Sequence, residues 1–156
     1  MTEPIRLRGV FETHLRVSDL ERSARFYERT LDLKEAFRDE ARRVRFYWVG
    51  RRGEAMLGLW ETEASQMFRQ HFAFRSTPDE LPGIVRALKE RGVRTYDFHN
   101  ESEEPFVFPW MPAAAIYFDD PDGHTLECLA MLPDDPESGL GIVSWDAWSA
   151  RTRSRT

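Results

Sequence analysis

Residues 120 to 127 read Asp-Pro-Asp-Gly-His-Thr-Leu-Glu and put a carboxylate, Glu127, in the middle of an alternating segment from His124 to Met131. Pro121 presets φ and Gly123 accepts a positive φ, so a tight turn feeding a strand is expected. In that strand Thr125, Glu127 and Leu129 share one face, while Leu126, Cys128 and Ala130 share the other. A carboxylate so placed can move protons or hold a cation if suitable partners meet it. A strand carboxylate is otherwise a solvated one, because ionised side chains are seldom buried unless paired.

The elements that must position it repeat along the chain. From Gly9 to Val17, Phe11, Thr13, Leu15 and Val17 alternate with Val10, Glu12, His14 and Arg16, the pattern of a strand. The period then changes. Ser18 and Glu21 fit a capping box, and Leu20, Ala24, Tyr27 and Leu31 recur at helical spacing, which predicts a helix over about 19 to 31. Strands are expected at 43 to 49 and at Ala55 to Trp60, with room for another near 34 to 38. The sequence then starts over: His71 to Arg75 alternates, Thr77 and Glu80 form a second capping box with Pro78 at the first helical position, and Gly92 supplies a C-terminal stop. Segments 93–98, 106–108, 114–119 and 124–131 complete a second β-α-β-β-β unit.

Laying one unit on the other, Ser18 with Thr77 and Glu21 with Glu80, carries Glu12 onto His71. Two side chains able to bind metal thus hold equivalent positions in two copies of one module. His14 lies two residues beyond Glu12 on the same face. It can be a ligand in place of Glu12, a partner of a ligand, an acid–base group, or a satisfied structural histidine.

Composition limits the function classes. At 41% hydrophobic and 31% charged residues, a chain of 156 residues can bury a core without staples. A net charge of −5 argues against a general nucleic-acid binder. The single cysteine, Cys128, forms no intramolecular disulfide and no cysteine zinc cluster. No run approaches a membrane span and the first residues lack a signal-peptide pattern, so a cytoplasmic location is expected. The arginine pairs at 42–43 and 51–52 and the tail Arg151 to Thr156 read as solvated or frayed. Residues 134–156 read as an extension with a short helix, Trp145 and Trp148 lying on one side of it and docking on the body. The body is expected as one domain over 1–133, with modules at about 9–62 and 68–132.

The paired modules, Val17-Ser-Asp-Leu20 followed by Phe26-Tyr27, and the Asp120-Pro-Asp-Gly123 turn before Glu127 resemble the vicinal oxygen chelate superfamily, which contains glyoxalase I, extradiol dioxygenases, fosfomycin-modifying enzymes and bleomycin-binding proteins. The resemblance spans residues 9 to 132. It implies an α+β fold, two βαβββ modules forming a curved mixed sheet around a cup. It implies a divalent metal held by Glu12, His71 and Glu127, with His14 the alternative to Glu12, and Mn, Fe, Co, Ni, Zn or Mg as suitable ions for one imidazole and two carboxylates. Glu127, His14 and Glu12 are then the candidate proton-moving groups. The glutamate that glyoxalase I takes from the last strand of its first module is matched by Gly58, with Glu61 on the opposite face, which argues against lactoylglutathione lyase activity. The same resemblance allows a metal-free binding protein in which Trp48, Trp60, Phe106 and Trp110 line the pocket for a small molecule. Both readings imply a homodimer.

Overall fold

The computed structural model describes residues 3–153, so the last tail residues considered above lie outside the described residues. Two compact units divide the chain, Met1–Phe68 and Arg69–Thr156.

Unit 1 runs β1 (Glu12–Val17), α1 (Leu20–Arg29), β2 (Lys34–Asp39), β3 (Val44–Val49) and β4 (Ala55–Glu61), followed by a single 3-10 turn at Ala64–Gln66. Its open sheet is ordered β1-β4-β3-β2, with β1 and β4 parallel and the other pairs antiparallel. The period of two in β1 sends Leu15 and Val17 inward and leaves Glu12, His14 and Arg16 exposed. Helix α1 packs its stripe of Leu20, Ala24 and Tyr27 on β3 and β4, where Tyr47, Leu57 and Leu59 are fully buried. Each such leucine contributes about 1.5 to 3 kcal/mol.

The expected cap of α1 is displaced by one residue. Asp19, not Ser18, is the N-cap, its carboxylate accepting the Arg22 N–H at 2.9 Å. Both residues suit the position, and Ser18 instead accepts a bond from the Arg22 guanidinium at 2.9 Å. Glu21 is drawn away to Arg45, 2.6 Å distant and only 7% exposed, because a buried guanidinium requires acidic partners. Glu61 accepts the Leu20 N–H at 2.8 Å and takes both arms of the Arg43 guanidinium, which holds its carboxyl below the usual range. That residue clamps the helix to β4 and is occupied structurally.

Unit 2 runs β5 (His71–Arg75), α2 (Leu81–Glu90), β6 (Thr95–Tyr96), β7 (Phe106–Phe108), β8 (Ala113–Asp119), β9 (Thr125–Met131), β10 (Val143–Ser144) and α3 (Trp145–Arg153). Its sheet is ordered β10-β7-β8-β9-β5, with β6 also on β8 and with β5 and β9 parallel. The second capping box forms its reciprocal half, Thr77 N–H to Glu80 at 2.8 Å, but residues 78–80 make a turn and α2 begins at Leu81. Gly92, at φ 75°, ends that helix as expected. The C-terminal stretch adds an edge strand, β10, to the sheet. Trp148 then docks as expected, 3% exposed with its indole N–H on Asp134 at 3.2 Å, while Trp145 is half-buried.

Candidate metal centre

Parallel pairing of β5 with β9 sets His71 opposite Thr125 and Ala73 opposite Glu127, so the imidazole and the carboxylate rise from one face one step apart. His71 Nδ1 lies 2.9 Å from the Thr125 carbonyl. A carbonyl only accepts, so Nδ1 carries a proton and donates it there, and Nε2 is the nitrogen left to face the site. That nitrogen lies 3.2 Å from Glu127 Oε2. At this distance either a proton shared by the two groups or a cation held by both lies between them. Glu127 is 4% exposed, its Oε1 is buried with no hydrogen-bond partner, and burial pushes its carboxyl up against the opposing pull of His71. A divalent ion answers all three conditions, so this pair fits a metal.

The turn that opened the sequence argument fixes the pair. Asp120 Oδ1 accepts the N–H groups of Asp122 at 3.0 Å and His124 at 2.9 Å, and Gly123 stands at φ 80°. The fully buried His124 ring accepts the Gln70 N–H on Nδ1 at 3.0 Å, and Thr125 N–H donates to the Gln70 carbonyl at 3.0 Å. The start of β5 is thereby tied to the start of β9, one residue from His71 and two from Glu127. Sequence reasoning named this turn but passed over His124. The signal was available: a histidine between a glycine turn and a strand whose alternation puts it on the inward face with Leu126.

Across from Glu127 on β8 stands Tyr117, also missed, although it sits on the outward register of an alternating strand. Its ring meets His71 edge-on at 5.7 Å, and burial together with the Glu127 charge pushes its phenol up to about 12. Tyr96 faces Tyr117 and donates to Asp119 at 2.6 Å. Of the expected pocket residues, Phe106 packs against Tyr117 at 5.0 Å and Trp110 against Phe108 at 6.4 Å.

In unit 1, Glu12 and His14 do share a face and come together, Oε1 to Nε2 at 3.6 Å, with about half of each side chain exposed. Trp60 lies 5.7 Å from the His14 ring, and Trp48 shares that face two residues beyond Phe46. The register also explains Gly58. On β1 and β4, His14 is paired with Gly58; on β5 and β9 the equivalent pair is Ala73 with Glu127. A Cβ on Gly58 would stand 2.9 Å from Phe46 and 3.0 Å from His14 Cδ2. The imidazole therefore occupies the space that the carboxylate takes in unit 2. Gly58→Ala is expected to cost about 1 to 3 kcal/mol by overpacking and to move the His14 ring. Urea unfolding and the His14 ring proton shifts by NMR check it; an unshifted His14 at wild-type stability would contradict it.

Glu12 belongs to unit 1, His71 and Glu127 to unit 2. Within either unit, among the described residues, no three His, Cys, Asp or Glu side chains gather in a metal-sized group.

Duplicated βαβββ modules with an imidazole–carboxylate pair on the sheet define a paired-module α+β protein of the glyoxalase type. A family model described as Glyoxalase/Bleomycin resistance protein/Dioxygenase superfamily matches residues 9–128, and the chain belongs to that superfamily. An integron cassette protein from the mobile metagenome of a Halifax Harbour sewage outfall is 33% identical, with TM-score 0.69 over 80% of this chain and 100% of that one. The lactoylglutathione lyase of Agrobacterium tumefaciens is similar in fold at 18% identity, TM-score 0.63, covering 78% of this chain and 92% of that one. So is a variant of the fosfomycin resistance protein FosX of Listeria monocytogenes, complexed with Mn(II) and 1S,2S-dihydroxypropylphosphonic acid, at 19% identity and TM-score 0.61 over 82% and 94% of the two chains. No curated protein matches the sequence. No helix among the described residues is long and apolar enough to cross a membrane.

Proposed function

We propose that this chain is a divalent-metal-dependent enzyme acting on a small substrate with adjacent oxygens, of lyase, isomerase or dioxygenase type. The observation that carries the reading is the His71–Glu127 pair, imidazole nitrogen and carboxylate oxygen at 3.2 Å with the remaining carboxylate oxygen buried and without a hydrogen-bond partner. His71 and Glu127 would hold the ion. What such an ion supplies when bound is polarisation of the substrate oxygens. The Mn(II) complex of the FosX variant, which shares the fold, supports this reading.

The chain's own groups then divide the work. Thr125 fixes the His71 tautomer through its carbonyl, and Glu127, its carboxyl raised by burial, accepts and returns a proton at Oε2 more readily than a solvated acid. Tyr117 keeps its phenolic proton and offers a donor toward developing negative charge beside Glu127. Gly58 leaves the fourth carboxylate position empty of an acid, which sets the reading apart from lactoylglutathione lyase chemistry.

A second reading, metal-free capture of an aromatic ligand, is favoured in unit 2 by Trp110, 58% exposed beside Phe108. Metal analysis separates the two. Protein purified without added metal and reconstituted with Mn(II), Co(II) or Zn(II) is expected to retain about one ion per site, and His71→Ala is expected to lose it. No retained ion in the wild type would overturn the metal reading. The proposal includes a cytoplasmic homodimer; light scattering that gives the monomer mass contradicts the dimer.

A further inference from the structure

We infer that the substrate held at the His71–Glu127 pair is an anion whose far group, a carboxylate or similar oxyanion, is bound by Arg75. The inference rests on the reading of the pair given above and names its substrate class. Alternation along β5 puts His71, Ala73 and Arg75 on one face, all three exposed, while Phe72 and Phe74 turn to the other and pack on each other at 4.9 Å. Pairing with β9 then orders that face in rows. His71 lies beside Thr125, Ala73 beside Glu127 and Arg75 beside Leu129.

Arg75 thus rises from the row next to Glu127, one side-chain step of roughly 6 to 7 Å along the strand. Its root is fixed there. The Ser76 N–H donates to the Leu129 carbonyl at 2.9 Å, which carries the ladder one residue past Arg75. Ala73 is the β5 residue between Arg75 and His71 on this face, and its methyl group is too short to screen one from the other.

The charges point the same way. Other arginines of the chain are met by acids: Arg38 by Glu35 at 2.7 Å, Arg43 by Glu61 at 2.8 Å and Arg45 by Glu21 at 2.6 Å. Arg75 makes no hydrogen bond or ion pair with any described residue. Arg69, two residues before His71, is differently placed: its guanidinium lies along Gly123, where a Cβ would stand 3.5 Å from Nη2, and its charge reaches the Tyr96 hydroxyl, which already donates to Asp119. Arg75 is therefore the cation of this face left for a ligand. A ligand that offers only two adjacent oxygens occupies the pair and leaves Arg75 in water. One with an oxyanion a bond or two further on reaches the guanidinium fork, which matches a carboxylate with two N–H groups and offsets the repulsion from Glu127.

Malate and its 4-amide test this, since both carry a 2-hydroxy carboxylate and differ at the far end in a carboxylate against a neutral amide of the same shape. Calorimetric titration of the full chain is run with Mn(II) and, separately, with EDTA. Malate is expected to bind about fivefold or more tightly than the amide at low salt, and the ratio to fall toward unity at about 1 M salt. Arg75→Gln is expected to bring the ratio within about twofold of unity without weakening the amide, Arg75→Lys to keep part of it, and Arg69→Gln to leave it unchanged. Equal affinities in the wild type, no malate binding in either buffer, a ratio that survives Arg75→Gln, or one lost in Arg69→Gln instead overturns the inference. An Arg75-dependent ratio that persists in EDTA and in His71→Ala leaves this inference standing and overturns the metal reading alone.

Discussion

Glu127→Gln is expected to make the metal-free chain more stable at neutral pH while destroying its affinity for metal. The carboxylate is buried, one oxygen has no hydrogen-bond partner and the other lies 3.2 Å from His71 Nε2. Glutamine keeps the shape, removes the charge and can donate its amide N–H to a neutral Nε2. Relief of the buried charge is worth about 1 to 3 kcal/mol, or several degrees in Tm for a chain of this size. The sign with pH follows from the raised carboxyl. Its folded form holds a proton to higher pH than its unfolded form, so the stabilisation from that proton is complete below the ordinary carboxylate range and is lost as pH rises through the folded value. The advantage of Glu127→Gln in chelator should therefore be small at about pH 4 and grow to a plateau at neutral pH. Metal affinity should fall by more than the roughly 10- to 100-fold that loss of a supporting residue costs. Urea unfolding in EDTA across that range, beside metal titration, measures both; a variant less stable than the wild type at neutral pH in EDTA contradicts the account.

His124→Ala is expected to give the largest loss of stability. The ring is fully buried, and its removal leaves the Gln70 N–H without its acceptor and opens a cavity between β5 and β9. The two terms together come to about 3 to 4 kcal/mol, roughly 6 to 16 °C in Tm. His124→Asn, whose Oδ1 can stand near the place of Nδ1, should recover part of it. Beyond stability, slackening the Gln70–Thr125 junction should weaken metal retention in the alanine variant under conditions where it is folded. A His124→Ala chain that melts within about a degree of the wild type rules out the tie.

Much of this was legible because repeats and alternation are local. The two-residue period of β1, the His71 strand and the Glu127 strand all stood as expected, and Glu12 and His71 do begin equivalent strands. The superfamily was readable for the same reason, the matched span of 9–128 covering both modules. The correspondence of Gly58 with Glu127 was harder to read from spacing. Glu12 and His71 are 59 positions apart, but their partners Met56 and Thr125 are 69 apart, because the second module carries a longer connection before its last strands. An offset taken from the helix caps cannot cross that insertion. The cap of α1 went to Asp19 because Ser18 and Asp19 both satisfy the local rule, and only the ion pair of Glu21 with the buried Arg45 decides between them. β6 shrank to Thr95–Tyr96, since Asp97 turns the chain by accepting the N–H groups of His99 and Glu101. Burial of a lone histidine such as His124 depends on contacts 54 residues away, which no window of sequence contains.

The close approach at Gly58 also constrains the route by which the two modules could come to resemble each other. Placing an acid at 58 while His14 and Phe46 stand 3.0 and 2.9 Å from its Cβ forces two rings aside at once. Shortening His14 first, toward the alanine found at position 73, opens part of that space and lets the acid follow with less displacement. The order of substitution therefore matters. A chain that takes the two steps in the wrong sequence passes through an overpacked intermediate, so positions 14 and 58 are coupled by epistasis between neighbouring strands.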